Sequence, residues 1–427
     1  MQAQKTFPTR RPLGRPLSRQ ISPPLIAALA AAAACGSARA EDPSPWYIGA
    51  SVGVTHDSNV FRTPDAVGDT YVTTSLLGGF DQAIGRQRLH AAARVGYSKY
   101  QNRDELNNTN YGVSAGWDWA TIEKLSGSVN VGANRSLAQL NGNTRVPSTR
   151  RNLVNADQIS TDVKWGGDGQ VTLFANYGHS RVRYSAAEFI SSKSSADTAS
   201  IGTNYRLGGS TTVGAALRFT RTVSPYGVAK TLLPTGPDDF ASTTSNGRNL
   251  DLLGNWVYSP QTSVNARLSI TRQTDSGGGD RTFSGLTGAL SATYAPTAKL
   301  AFTAALSRDA GTNANYFNTV STTSGSTVTT VSGLNQSSTA TDILALGATY
   351  AATAKISVNA GAQYRRSKLD AGGNDNISLY SLGATYAVAR NWQLACNLGH
   401  ESRAVSGGAG YDYTANTIGC SAQFTLR

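Results

Sequence analysis

The chain has 427 residues, only 15% of them charged, and a formal net charge of +12. A soluble enzyme of this size usually carries about a quarter charged residues, so a chain this rich in Gly, Ser, Thr and Asn does not read as an ordinary cytoplasmic globule. Six Lys/Arg and no acids fall within the first 40 residues; the rest carries only +6, scattered and without an RNA- or DNA-binding motif, which excludes a nucleic-acid partner.

Lys5, Arg10, Arg11, Arg15 and Arg19 precede an apolar run from Leu25 to Ala34, and Ala38-Arg39-Ala40 supplies an A-x-A cleavage site. Residues 1–40 therefore read as a cleavable secretory signal peptide and 41–427 as the mature domain, starting at Glu41. Pro12-Leu13-Gly14 fits a twin-arginine signal poorly, and Cys35 lacks the Leu or Val three positions earlier that acylation requires. Beyond residue 40 no segment approaches the roughly 18 uninterrupted apolar residues of a transmembrane helix. Any membrane crossing would use strands.

Apolar and polar residues alternate with period two along the mature chain, as in Val129, Val131 and Ala133, then Val264, Ala266, Leu268 and Ile270, then Ile356, Val358, Ala360 and Ala362. Period two puts one set on each face of a strand. Short connections recur near Gln82–Arg86, Thr121–Lys124, Gly166–Gly169 and Leu207–Ser210, then after Tyr258, Tyr294, Tyr350 and Tyr386. They alternate with longer ones at about Asp57–Asp69, Ala138–Asn152, Val223–Gly247 and Ala310–Thr339, and with shorter ones near Asn102, Ala187, Gly277, Gly373 and Gly407. Short turns on one side and long loops on the other are the mark of an outer-membrane barrel, with the turns periplasmic. The count predicts an all-β, closed antiparallel transmembrane barrel of about 18 strands, with 16 as the alternative.

On the strands that descend into the short turns, the outward parity includes Phe80, Trp117, Trp119, Trp165, Tyr205, Trp256, Tyr258, Tyr294, Tyr350, Tyr386 and Phe424. Amphipathic rings favour the headgroup level, so this row predicts a periplasmic aromatic girdle. The opposite parity assigns basic His90, Arg94, Lys164, Arg206, Arg218, Arg267, Arg365 and Arg403 to the lumen, with acidic Asp118, Asp162, Asp251, Asp309 and Glu401. Such a lining favours anionic solutes; the plainer alternative is mutual charge pairing that keeps the interior solvated. Arg135, Arg181, Arg183, Arg221 and Arg272 sit at upper strand ends, placed to face lipopolysaccharide phosphates.

Cys396 and Cys420 fall almost opposite each other on the last two strands, and the periplasm is oxidising; a disulfide or two lipid-facing thiols both fit. No H-E-x-x-H, G-x-S-x-G, P-loop or zinc-type cysteine spacing occurs, and His56, His90, His179 and His400 are spread over four strands. The chain does not read as an enzyme, and no cofactor or metal is implied. A rim site at His179-Ser180 or His400-Glu401 is the nearest approach to one.

His56-Asp57-Ser58-Asn59-Val60-Phe61-Arg62 follows the first strand in the manner of a D-x-N-x-F-R signature, carried by Asp57, Asn59, Phe61 and Arg62. Gly85-Arg86-Gln87-Arg88-Leu89, Tyr111-Gly112-Val113, Gly116-Trp117-Asp118-Trp119, Leu125-Ser126-Gly127 and Arg151-Asn152-Leu153 come after it in order. From the first strand to about Tyr184 the chain resembles the outer-membrane β-barrel proteins of exopolysaccharide biosynthesis operons (EpsL-type), within a wider β-barrel porin group. The resemblance implies export or secretion of an exopolysaccharide across the outer membrane, with polysaccharide synthesis and export proteins as partners. It carries over no catalytic residues. Outer-membrane lipid, lipopolysaccharide and the barrel assembly machinery are expected partners of any such barrel. The chain departs from the usual aromatic terminus, ending Phe424-Thr425-Leu426-Arg427, so assembly is expected to be slower or to use an internal signal. Two other readings compete: a general or small-solute diffusion porin, and a structural or adhesive surface barrel acting through its long loops. The Ser/Thr-rich segment Thr319–Thr341 is expected to be mobile, in solvent or as a lumen constriction.

Overall fold

The structure, a computed structural model, describes residues 44–138, 149–167, 169–230, 237–277, 281–310, 338–369, 373–406 and 411–427. The chain opens with β1 (Trp46–Asp57), β2 (Asp69–Ile84), β3 (Gln87–Tyr100) and β4 (Asn108–Ala120). Then come β5 (Leu125–Leu137), β6 (Leu153–Trp165), β7 (Val171–Tyr184), β8 (Ser194–Leu207) and β9 (Thr211–Ala229). The second half begins with β10 (Phe240–Ser259), β11 (Thr262–Ser276), β12 (Arg281–Thr297), β13 (Leu300–Ala310) and β14 (Ser338–Ala351). It ends with β15 (Ile356–Leu369), β16 (Asn374–Ala389), β17 (Trp392–Val405) and β18 (Tyr413–Leu426). Each strand pairs antiparallel with its sequence neighbours, and β1 also pairs with β18 from Ile48↔Leu426 to Asp57↔Thr417. The sheet is thus a closed 18-stranded ring. Closure gives every edge strand a partner, which a bilayer demands because it offers no water to unpaired N–H and C=O groups.

Directly opposed residues share a face, so the register sorts the side chains. Outward positions are apolar yet uncovered: Leu76 is 70% exposed, and Leu252, Ile270 and Leu286 are also exposed. Inward positions include the buried Ser75, Asn249, Ser269, Thr271, Thr287 and Ser307. This inversion of the usual globular pattern is stable only if the outer surface meets hydrocarbon. Replacing Leu252 with Arg in mid-band is expected to cost about 2–4 kcal/mol of barrel stability in lipid vesicles. A water-facing site would tolerate the same change within about 0.5 kcal/mol, so denaturant unfolding in vesicles distinguishes the two.

Turn chemistry sets the register. Between β2 and β3 only Gly85 and Arg86 remain, and Gly85 has φ 62°, the left-handed conformation glycine adopts without strain. One predicted loop is shorter than expected. The Val223–Gly247 segment is largely strand, because its β-branched and aromatic residues pair across β9 and β10 (Thr244↔Val223, Phe240↔Ala229), with a register shift between Ala241 and Thr243. Most of the Ala310–Thr339 loop, including most of Thr319–Thr341, lies outside the described residues, as do 139–148 of the Ala138–Asn152 loop and residues 1–40, the expected signal peptide.

Cys396 and Cys420 are register partners on β17 and β18, both on the outward face, and their sulfurs are bonded across 24 residues of sequence. Alkylating reagents are expected to modify neither cysteine of the unfolded, unreduced protein and both after reduction, as read by intact mass. Modification without reductant would contradict the bond.

Candidate functional site: the inner wall and its mouth

The register puts His90, Arg94, Asp118, Asp162, Lys164, Arg206, Arg218, Asp251, Arg267, Asp309, Arg365, Glu401 and Arg403 on the inner face. Most of these charges are gathered into pairs and chains rather than spread as a ring. On β9 to β13, Arg218 binds Asp251 at 2.8 Å, Arg267 donates to the Ser269 hydroxyl at 2.8 Å, and Arg267 meets Asp309 at 3.1 Å. On β15 to β17, Arg403 grips both Asp375 oxygens at 2.7 and 3.1 Å, and Arg365 stands 3.9 Å from the same carboxylate. Asp375 did not emerge from the sequence because it borders the Gly373 turn, where strand parity gives no assignment.

Lower on the wall, Lys164 lies 3.8 Å from Asp162, which also accepts the Ser128 hydroxyl. His90 lies 3.9 Å from Asp118. A Cβ on the opposing Gly116 would come 2.2 Å from the His90 ring, so glycine there makes room for the imidazole. Arg206 is exposed near the periplasmic end of β8.

Arg94 differs from the rest. It sits midway along β3, and one of its terminal nitrogens donates to the Ser51 and Ser75 hydroxyls, each at 3.2 Å. Among the described residues no carboxylate lies within ion-pair distance of it. Its surroundings are neutral hydroxyl and amide groups: Thr73 bonds Ser98, and Asn110 donates to the same Ser98 hydroxyl. A guanidinium bound only to hydroxyls keeps donors for a passing oxyanion.

The D-x-N-x-F-R motif forms the second part of the site. The segment between β1 and β2 folds against the inner wall at the end opposite the short turns, with Asn59, Phe61 and Arg62 almost completely buried. Asp57 accepts the Asn59 backbone N–H at 2.8 Å, and the Asn59 side-chain amide donates to the carbonyls of Thr63 at 2.7 Å and Thr414 at 2.9 Å. Arg62 donates to both Asp57 oxygens at 2.8 and 2.9 Å, to Glu401 on β17 at 2.9 Å, and to the Asn59 carbonyl. Tyr413 adds its hydroxyl to Glu401 at 2.6 Å. Phe61 and Val60 pack with Tyr100 and Leu106, and Arg103 lies over the Phe61 ring.

Arg62 has φ 55°, a left-handed conformation that costs a non-glycine residue about 1–2 kcal/mol. Three polar anchors and the apolar cluster hold it there. Burial alone would lower the guanidinium pKa, but Glu401 and Asp57 more than reverse that, and the net shift is upward. Arg62 therefore stays charged at every working pH. It is a latch across the seam where the barrel closes.

On the outer face, Phe80, Trp117, Trp165, Tyr205, Trp256, Tyr258, Tyr294, Tyr350 and Tyr386 are exposed near the short turns, with Trp119 and Phe424 half-buried beside them. Several are in ring contact, including Trp256 with Tyr258 at 5.2 Å and Phe424 with Trp392 at 5.0 Å. Tyr97, Tyr177, Tyr364 and Tyr380 mark the outer face further up, a row that the sequence reading missed. Their outward parity is legible in the sequence, but they lie away from the short turns that mark the lower row. His179 bonds Asp197 at 2.8 Å and His400 bonds Asn416 at 2.7 Å. Among the described residues no group of three or more His, Cys, Asp or Glu is placed to hold a metal.

A closed ring with an apolar, aromatic-banded outside and a polar inside is an outer-membrane β-barrel, spanning the membrane with its strands. The model of the family described as "Putative beta-barrel porin 2" matches residues 313–425, the C-terminal part of the chain. Among solved structures, OccK1 (OpdK) of Pseudomonas aeruginosa is 12% identical with a TM-score of 0.45, over 89% of this chain and 99% of that one. OccAB4 of Acinetobacter baumannii is 11% identical with a TM-score of 0.44, over 90% and 99%. The FrpB iron transporter of Neisseria meningitidis is 10% identical with a TM-score of 0.44, over 85% and 63%. No curated protein matches the sequence.

Proposed function

We propose that the protein is a passive outer-membrane diffusion channel for small hydrophilic solutes, with a preference for anions set by Arg94. The observation that carries this reading is the inner wall. It is mostly polar, with scattered apolar positions such as Leu77, Phe174 and Ile377; its charges are mostly paired across strands, and one mid-wall guanidinium faces the lumen with hydroxyl partners only. The porin family match over residues 313–425 supports the same reading. Exopolysaccharide export rests on the resemblance of the segment up to about Tyr184, which that match does not include. The Arg62 segment, lying inside the mouth, also suits small solutes better than a polymer. The outer surface would sit among outer-membrane lipid and lipopolysaccharide, delivered there by the barrel assembly machinery.

Reconstitution in planar bilayers tests the proposal. Discrete ohmic conductance steps and a reversal potential displaced toward the anion are expected under a salt gradient. A reconstituted, folded barrel that passes no current would contradict it and favour a structural role played by the loops. A deletion strain that still secretes normal amounts of polymer would separate the channel reading from the export one.

A further inference from the structure

The outer face changes from apolar to polar at one level on four neighbouring strands. Going up each strand, Phe219 gives way to Arg221 on β9, Leu250 to Arg248 on β10, Ile270 to Arg272 on β11 and Leu286 to Ser284 on β12. The four apolar residues are 45–61% exposed, and Arg221, Arg248, Arg272 and Ser284 are exposed as well. Arg221 lies 10 residues above Thr211, Arg248 lies 11 above Ser259, and Arg272 lies 10 above Thr262. At about 3.3 Å per residue and a tilt of about 40°, that is about 25 Å above the periplasmic turns, the height of an outer-membrane apolar band. The arginines stand at the headgroup level of the outer leaflet.

Arg248 and Arg272 are directly opposed in the β10–β11 register. Like charges opposed across two strands repel, and several other cations on this rim are matched with acids. Arg183 pairs with Asp157 at 2.6 Å, with Arg181 opposite the same Asp157. Arg308 stands 3.8 Å from Asp342, whose register partner is Arg366. Arg221, on the flank of the pair, faces Asp197. For Arg248 and Arg272 the described outward neighbours are Phe219, Asn246, Thr274 and Ser284, with Arg221 diagonal to Arg248, and none of them is acidic. Two facing guanidinium groups with no counter-ion among the described residues, over a greasy floor and beside hydroxyl and amide groups, suit an oxyanion that accepts from both and is carried on an apolar body.

We infer that Arg248 and Arg272, with Asn246, Thr274 and Ser284 around them, form a binding site for a phosphate of lipid A, its acyl chains lying against Leu250, Ile270 and Leu286. The bound phosphate replaces the missing counter-ion and screens the arginine pair.

The test uses the full mature barrel in detergent, with native mass spectrometry of added lipid A in its bisphosphorylated and dephosphorylated forms. Wild type is expected to prefer the bisphosphorylated form by about tenfold, the scale of a charge-assisted hydrogen-bond pair. The double variant Arg248→Gln, Arg272→Gln is expected to lose that preference, while Arg181→Gln, Arg183→Gln, whose cations are matched by Asp157, keeps it. Inorganic phosphate at equal concentration is expected not to compete, because it lacks the acyl body. Equal binding of the two lipid A forms by wild type would overturn the inference without reference to any variant. So would a double variant that keeps the preference, or full competition by inorganic phosphate.

Discussion

Replacing Arg62 with Ala is expected to destabilise the barrel by about 3–5 kcal/mol and to raise its conductance. The magnitude is that of removing one partner from a buried ion pair, which strands the remaining charges. Asp57 and Glu401 are about nine-tenths buried and both lean on this guanidinium. Without it, each carboxylate must take up a proton or admit water, and the β1–β2 segment loses its hold on β17. Phe61 and Asn59 then leave the wall, and the mouth widens. Neutralising the acids in the same background (Asp57→Asn with Glu401→Gln) is expected to recover part of the stability but not the narrow conductance, because the latch is still absent. Arg62→Lys keeps the charge but loses the forked geometry that reaches both acids, so an intermediate value is expected. Denaturant midpoints and single-channel recordings read the two effects separately. A midpoint and conductance equal to wild type would show that the motif does not hold the loop.

Replacing Arg94 with Glu is expected to shift the anion-to-cation permeability ratio toward cations by roughly fivefold to tenfold. A unit charge acting on an ion at about 4 Å in water is worth about 1 kcal/mol, roughly fivefold in occupancy; the substitution changes the wall by two units, about 25-fold unscreened, and salt screening brings that down to roughly the fivefold to tenfold range. The effect is concentrated at this position because the other inner-wall cations with known partners are already answered: Arg218 by Asp251, Arg267 by Asp309, Arg403 by Asp375. Reversal potentials under a salt gradient measure the ratio. Arg218→Glu in the same assay distinguishes selectivity from general damage. It is expected to lower stability by exposing Asp251 to a like charge, with a smaller change in selectivity per folded channel. Selectivity unchanged by Arg94→Glu would remove this residue from the proposed pathway.

The strand count and the sorting of faces were legible in the sequence for one reason. A lipid-facing strand has to alternate, and a two-residue turn leaves an unmistakable Gly or Tyr-x-Pro boundary. Where that constraint lapses, so did the reading. The upper parts of β9 and β10 rise beyond the apolar band, so Val223 to Gly247 no longer needs to alternate grease with polar residues, and its pattern reads as loop. Arg248 borders that segment, where parity gives no assignment, whereas its partner Arg272 lies on a strand whose alternation is clear. Parity assigns a charge to a face of its strand but carries no register. That Arg218 reaches Asp251, or that Arg365 and Arg403 share Asp375, depends on the offset of neighbouring strands. The Asp57–Arg62 motif could be recognised as a pattern, but its inward fold depends on Glu401 and Thr414, more than 300 residues away.

The two parities of each strand meet different solvents, and β15 offers the plainest test. Single cysteines placed in turn from Ser357 to Gln363, in a Cys396→Ser, Cys420→Ser background in lipid vesicles, should label in alternation. A membrane-impermeant maleimide is expected to reach positions 357, 359, 361 and 363. Positions 358, 360 and 362 are expected to resist it and instead to show quenching by a lipid-borne probe. Uniform labelling by the water-soluble reagent along the whole strand would contradict the account.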